Sequence, residues 1–274
     1  MAFGVMLAKD FNPARVKNWD HTYVEPKMDG IRVIVKVFPD AIAYYSRNGR
    51  ALDMFSHLDD ELMETTKQLR KMLKDSIVLD GEMMGEDFGD VAGAIHRKNA
   101  TAETTRYHPF IAIPHTAFLD GIDWHSQKYR LNQMHEAGLL VPAATKVSSV
   151  DEVKARYDKL RKANYEGAMV KDYKEPWIAK RTFAWMKMKD ELTVDLKIVA
   201  FKEGTGKYQG TLGAVIVKYK GKLVPVSGMT DALRDDIWKR QNFYMGKTVE
   251  IAYHQETVHG SLRHPRWKRL RDDK

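Results

Sequence analysis

Apolar and polar residues alternate in short runs over most of this chain, and helical spacing interrupts them in four main places. Val33, Val35 and Val37 alternate with Ile34, Lys36 and Phe38, which predicts a strand. Phe38-Pro39-Asp40 then turns it back into a hairpin partner over 41–46. From 56 to 74, Leu58, Leu62, Leu69, Met72 and Leu73 recur at helical spacing. Ile77-Val78-Leu79 predicts a buried strand that ends in the carboxylates of Asp80-Gly81-Glu82. Residues 86–107 read as loop with a short helix, 110–118 as a further strand, and 127–137 as a helix stopped by Gly138. Ser149-Val150-Asp151-Glu152 has the spacing of a capping box and opens a charged helix towards Asn164.

After Asp190 the texture changes. Short β-rich runs at 194–201, 212–219, 222–226 and 248–253 are divided by glycines, with one helical stretch over 231–242. Several short strands with one helix suit a small barrel of the oligonucleotide-binding (OB) type. Gly204-Thr205-Gly206-Lys207 is not a Walker loop, which would need glycine in place of Phe201 and Ser or Thr in place of Tyr208. The sequence holds no internal repeat, low-complexity segment or histidine metal cluster.

Composition narrows the class. With 274 residues, 43% hydrophobic and 30% charged, the chain reads as an ordinary globular protein of one large or two smaller domains. No apolar run is long enough to span a membrane, and the first residues lack the pattern of a secretory signal. Cysteine is absent, which excludes disulfides, thiol nucleophiles and thiolate metal sites. An intracellular, cytoplasmic protein is expected. The net charge of +8 is uneven: residues 191–274 hold 16 Lys+Arg against 10 Asp+Glu, and residues 1–190 hold 29 against 27. A basic last third on a near-neutral body points to a polyanionic partner, nucleic acid foremost.

Candidate chemistry centres on Glu25-Pro26-Lys27-Met28-Asp29-Gly30-Ile31-Arg32. A lysine amine turns nucleophilic where desolvation or neighbouring cations disfavour its protonation. In an extended segment Lys27 and Asp29 share a face, Gly30 permits a tight turn or close approach, and Arg32 offers a planar fork of donors. A surface turn entering a strand would fit the same residues. Asp80 and Glu82 fit a magnesium site in a cleft, and equally a cap or turn. Lys187 and Lys189 lie on one strand face, which also suits a solvated edge. The closing stretch from Arg263 sets Trp267 and Leu270 among basic residues, which suggests a segment that docks.

Taken together and in order, these pieces resemble the covalent nucleotidyltransferase superfamily and, within it, ATP-dependent DNA ligases of the minimal viral and bacterial type. Lys27-Met28-Asp29-Gly30-Ile31-Arg32 resembles the family's first motif and Ser46-Arg47-Asn48-Gly49 the next. Leu79-Asp80-Gly81-Glu82 and Glu166-Gly167-Ala168-Met169-Val170-Lys171 are similar to the third and fourth, Lys187-Met188-Lys189 to the fifth, and residues 263–274 to the sixth. The resemblance implies an α+β fold. An adenylation domain of antiparallel sheets with flanking helices would cover 1–190, and an all-β OB barrel 191–274, with a hinge about 190–197.

It also implies roles. Lys27 would carry AMP from ATP, and Glu25 would read the adenine. Arg32 and Glu82 would contact the ribose, and Phe118 would stack on the base. Arg47 and Lys171 would help to hold the nucleotide. Asp29, Glu82 and Glu166 would position Mg2+, and Lys187 and Lys189 the α-phosphate. Arg263, Arg266, Arg271 and Asp272 would clamp the leaving pyrophosphate. The implied partner is nicked double-stranded DNA and the implied state a monomer. An RNA ligase, a GTP-using capping enzyme and a non-catalytic nucleic-acid-binding module are the rival readings. NAD-dependent relatives are disfavoured by the lack of cysteines for their zinc module and by the 26 residues before Lys27.

Overall fold

The computed structural model describes residues 3–85, 103–257 and 260–271. The chain divides into two compact units, Met1–Lys189 and Asp190–Lys274. The first contains two five-stranded sheets. One runs in the order Leu7–Asp10, Arg181–Lys189, Gly167–Asp172, Thr22–Lys27, Thr145–Lys146; only its first pair is parallel. The other is antiparallel throughout, in the order Ala51–Leu52, Ile42–Ser46, Ile31–Val37, Ile77–Met84, Arg106–Pro114.

Alternation along Ile31–Val37 decides how the layers stack. Val33, Val35 and Val37 face a core completed by Leu62, Leu69 and Met134 from the helices Asp59–Thr65, Lys67–Leu73 and Gln127–Glu136. Ile34 faces the other way and joins Val78, Ile111, Trp177 and Trp185 in a second core. On the far side of the first sheet, Val24, Ala168, Val170 and Met186 pack against Val153 and Leu160 of the helix Val150–Lys162.

Three local expectations change. The helical run over 56–74 breaks at Thr66, whose hydroxyl donates to the Leu62 carbonyl and so competes with the backbone ladder. The strand read over 110–118 starts earlier and stops at Pro114, which has no N–H to continue a ladder; His115–Asp120 is a helix ended by Gly121 at φ 77°. At Ser149 the hydroxyl accepts from the Glu152 N–H at 3.2 Å. The Glu152 carboxylate, however, returns to the backbone N–H and hydroxyl of Ser148, at 2.8 and 2.9 Å. Most of the 86–107 segment, with Arg97 and Lys98, lies outside the described residues; Arg106 is exposed on the strand Arg106–Pro114.

The second unit is a five-stranded antiparallel sheet in the order Lys222–Val226, Leu212–Tyr219, Leu192–Glu203, Thr248–Tyr253, Arg266–Leu270. A bridge between Ser227 and Arg266 joins its two ends and closes the barrel. The helix Asp231–Lys239 packs Ile237 against a core of Val215, Val217, Val249 and Ile251. Among the described residues, no helix is long and apolar enough to cross a membrane.

Candidate active site

Three strands of the first sheet align the chemistry by register. Gly167 lies opposite both Lys27 and Lys189, and Met169 lies opposite both Glu25 and Lys187. Because strand side chains alternate, Glu25, Lys27, Lys171, Trp185, Lys187 and Lys189 share one face while the other is sealed by core. The strand carrying Lys187 and Lys189 lies between Leu7–Asp10 and Gly167–Asp172, so it is no solvated edge. Gly167 has to be glycine, since a Cβ there would collide with the Met188 carbonyl oxygen.

This face borders a cavity of about 310 Å3 whose lining includes Glu25, Lys27, Arg32, Arg47, Glu82, Lys171, Lys187 and Lys189. The Lys27 amine donates to Glu166, and the other oxygen of Glu166 lies 3.8 Å from the Lys189 ammonium. One carboxylate thus sits between two cations. Lys187 lies 3.4 Å from Asp10. Glu25, 3% exposed, accepts from the Lys171 ammonium at 2.7 Å on one oxygen and from the Tyr173 hydroxyl on the other. Lys171 in turn faces the rings of Trp185 and Phe110, at 4.5 and 5.0 Å from their centroids.

Glu82 reaches the cavity from the second sheet, paired in register with Arg32. Burial pushes its carboxyl up to about 7 against the opposing pull of Lys27 and Arg32. Among the described residues no group of three histidines or carboxylates could form a metal cage. Two carboxylates nevertheless suit magnesium, which keeps several waters and leans on substrate phosphates.

Some expected site residues lie outside the cavity or are engaged otherwise. Phe118 is buried in the helix His115–Asp120, edge-on to Phe3 and stacked on Trp177, and does not line the cavity; the aromatic rings that do are Phe110 and Trp185. The fork of Arg32, expected on a ribose, is closed on both oxygens of buried Asp80 at 2.6 and 2.7 Å, with a further bond to the Met6 carbonyl. The carboxylates of Asp80 and Glu82 do not end their strand, which runs on to Met84; Asp80 holds Arg32 and Glu82 faces the cavity. Asp29 sits in the turn before Ile31–Val37 and does not line the cavity.

In the second unit, Arg266 pairs with Glu191 at 2.5 Å, and Arg271 with Asp195 at 3.1 Å and Glu250 at 3.6 Å. Arg263 lies in the segment just before the strand Arg266–Leu270, and Asp272 falls outside the described residues. Sequence reasoning missed Tyr173, Phe110 and Asp80 as partners of Glu25, Lys171 and Arg32. Tyr173 and Lys171 sit two apart on the strand end beside Glu25, a period-two signal that was available.

Known proteins match both units. The family model described as ATP dependent DNA ligase domain covers residues 5–189, and that described as DNA ligase OB-like domain covers 203–271. The chain is 28% identical over 298 residues to a DNA ligase of Archaeoglobus fulgidus, a match covering 92% of this chain and 52% of that protein. It therefore spans about half the length of that relative. It is 25% identical over 304 residues to the DNA ligase of enterobacteria phage T3, covering 89% of this chain and 88% of that one. Among solved structures, Pmar-Lig_Pre superposes with a TM-score of 0.82 at 28% identity, covering 99% of this chain and 68% of that chain. A lysine-bearing strand face of this register, followed by an OB-like barrel and matched over 5–189, settles the lineage: this chain belongs to the ATP-dependent DNA ligase family.

Proposed function

We propose that this protein seals nicks between a 3′-hydroxyl and a 5′-phosphate in duplex DNA, using ATP and working as a cytoplasmic monomer. The observation that supports this best is the placement of the Lys27 amine on Glu166, with Lys187 and Lys189 on the same strand face of one cavity. In the first step the Lys27 nitrogen bonds the α-phosphorus of ATP. The bond to the bridging oxygen breaks, pyrophosphate leaves and the amine loses a proton. In the second, an oxygen of the DNA 5′-phosphate displaces Lys27 from the AMP phosphorus. In the third, the 3′-hydroxyl attacks that 5′-phosphate and AMP departs.

The residues divide this work. Glu166 orients the Lys27 amine towards the cavity and offsets its charge before substrate arrives. Lys187 and Lys189 neutralise the α-phosphate oxygens as charge builds, the largest contribution a protein makes to phosphoryl transfer. Glu25, an acceptor on both oxygens, suits the exocyclic amine of adenine and not the carbonyl of guanine. Phe110 and Trp185 offer ring surface at the cavity wall. Glu82 and Glu166, with Asp29 nearby, would hold magnesium, whose charge would offset that of the phosphates.

Intact mass after incubation with Mg2+ and ATP or GTP tests the reading. The wild type is expected to gain one AMP from ATP only, and Lys27→Ala to gain nothing. A GMP adduct would move the reading to capping chemistry, and no adduct would remove the catalytic assignment.

A further inference from the structure

The turn Ser46-Arg47-Asn48-Gly49 joins the strands Ile42–Ser46 and Ala51–Leu52 and carries one cation of the Lys27 cavity, Arg47. Its shape is set internally. The Gly49 N–H donates to the Ser46 carbonyl at 2.9 Å, and the Ser46 N–H to the Arg50 carbonyl at 2.8 Å. Gly49 itself takes φ 81°, the left-handed region that favours glycine. The aim of the turn is a separate matter. Arg47 is exposed, and among the described residues it forms no hydrogen bond or ion pair. Lys27, Arg32 and Lys187, by contrast, each hold to a carboxylate. With no side-chain partner, the Arg47 guanidinium is placed only as well as its backbone is placed.

Phe3 packs directly on that backbone. A Cβ at Gly49 would lie 2.9 Å from the Phe3 ring, so the bare glycine lets the ring sit against the turn. The ring is itself wedged in place. Its centroid lies 5.7 Å from that of Tyr45 and 5.4 Å from that of Phe118, which meets it edge-on, and the Lys36 ammonium stands 5.7 Å from it. Beyond Phe3 the chain buries Val5 and Met6, and the Met6 carbonyl accepts from Arg32 at 2.7 Å. One short segment thus meets two of the cavity's arginines, one through a ring and one through a carbonyl. We infer that Phe3 is a positioning residue for this reaction: its ring seats the Gly49 turn and so aims Arg47 into the Lys27 cavity. The inference rests on the ligase reading above.

Self-adenylation by ATP, and sealing of a nick by the adenylated protein, are timed for the wild type, Phe3→Ala, Arg47→Ala and the double variant. Phe3→Ala is expected to slow whichever step Arg47→Ala slows, by about tenfold, the scale on which a small misplacement of a binding group is felt. In the Arg47→Ala background it should cost nothing further, because the two changes remove one interaction. Equal losses with and without Arg47 would overturn the inference, since a general loosening of the fold does not depend on that side chain. Wild-type rates in either single variant would overturn it as well. Should Phe3→Ala lose its fold, Gly49→Ala disturbs the same contact from the other side and is read in the same two backgrounds. A wild type that forms no AMP adduct would instead remove the ligase reading.

Discussion

Glu25 can act as a fixed acceptor only if both of its oxygens are held, and the two groups that hold them come from one neighbouring stretch. Lys171 occupies one oxygen and Tyr173 the other, and Tyr23 stacks on Tyr173 with ring centroids 4.3 Å apart. Burial, followed by the nearby Glu25 charge, holds the Tyr173 phenol well above its ordinary range, so it stays a donor. Tyr173→Phe keeps the ring and removes the donor. It is expected to lower kcat/KM for ATP in self-adenylation by about tenfold, the size of one lost hydrogen bond to a charged group. It should also narrow the preference for ATP over GTP, while the melting temperature moves little. An unaltered preference would detach Tyr173 from base reading. Lys27, Lys187 and Lys189 were legible because period two survives in any strand, whatever the sheet does. Phe118 was not, because its position depends on the switch from strand to helix at Pro114-His115. The signal was there: a proline, six residues, then a glycine.

One buried ion pair ties the strand Ile122–Ser126 to the helix Gln127–Glu136 that follows it. Asp123 accepts from Arg130, which also donates to Gln133 at 2.8 Å; Asp123 and Arg130 are each 2% exposed. Burial is the largest single influence and would raise the Asp123 carboxyl, but the hydrogen bond and charge of Arg130 and the hydrogen bonds from His125 together outweigh it and hold the group below its ordinary value. A carboxyl lowered in the folded state contributes stability above its unfolded pKa, and that stability is lost as pH falls through the folded one. Asp123→Asn leaves the Arg130 charge buried and uncompensated, at a cost of about 3–5 kcal/mol near neutral pH. Urea unfolding over a pH series should show this deficit shrinking below about pH 4, as the wild type itself becomes protonated. A deficit constant with pH would mean packing, not charge, accounts for it. None of this pair was visible in the sequence reading, since a helix's apolar stripe says nothing about which arginine turns inward.

Across the whole molecule the division of labour is uneven, and the terminal arginines mark it. The first unit holds Lys27, Glu82, Lys187 and Lys189 around a single cavity, with Glu166 paired to Lys27 and Lys189. The second holds Arg266 and Arg271 on the barrel's own carboxylates, Glu191, Asp195 and Glu250. The order of motifs announced both sets, because each is a short local pattern. The pairing of the arginines with Glu191 and Asp195 was not announced, since it depends on strand Arg266–Leu270 pairing with Thr248–Tyr253, which in turn pairs with Leu192–Glu203. If these arginines serve the leaving pyrophosphate, they matter only while pyrophosphate exists, in the first of the three steps. Arg266→Ala should then slow self-adenylation about tenfold or more, the size of a lost charge-assisted contact, yet seal a nick that already carries 5′-AMP at the wild-type rate. Equal loss in both assays would assign Arg266 to DNA or to barrel stability. Normal self-adenylation would leave it as the partner of Glu191 and nothing more. Glu191→Gln sharpens the reading: it loosens Arg266 from the barrel without deleting it, and on the clamp account self-adenylation holds or rises while sealing of the adenylated nick is unchanged.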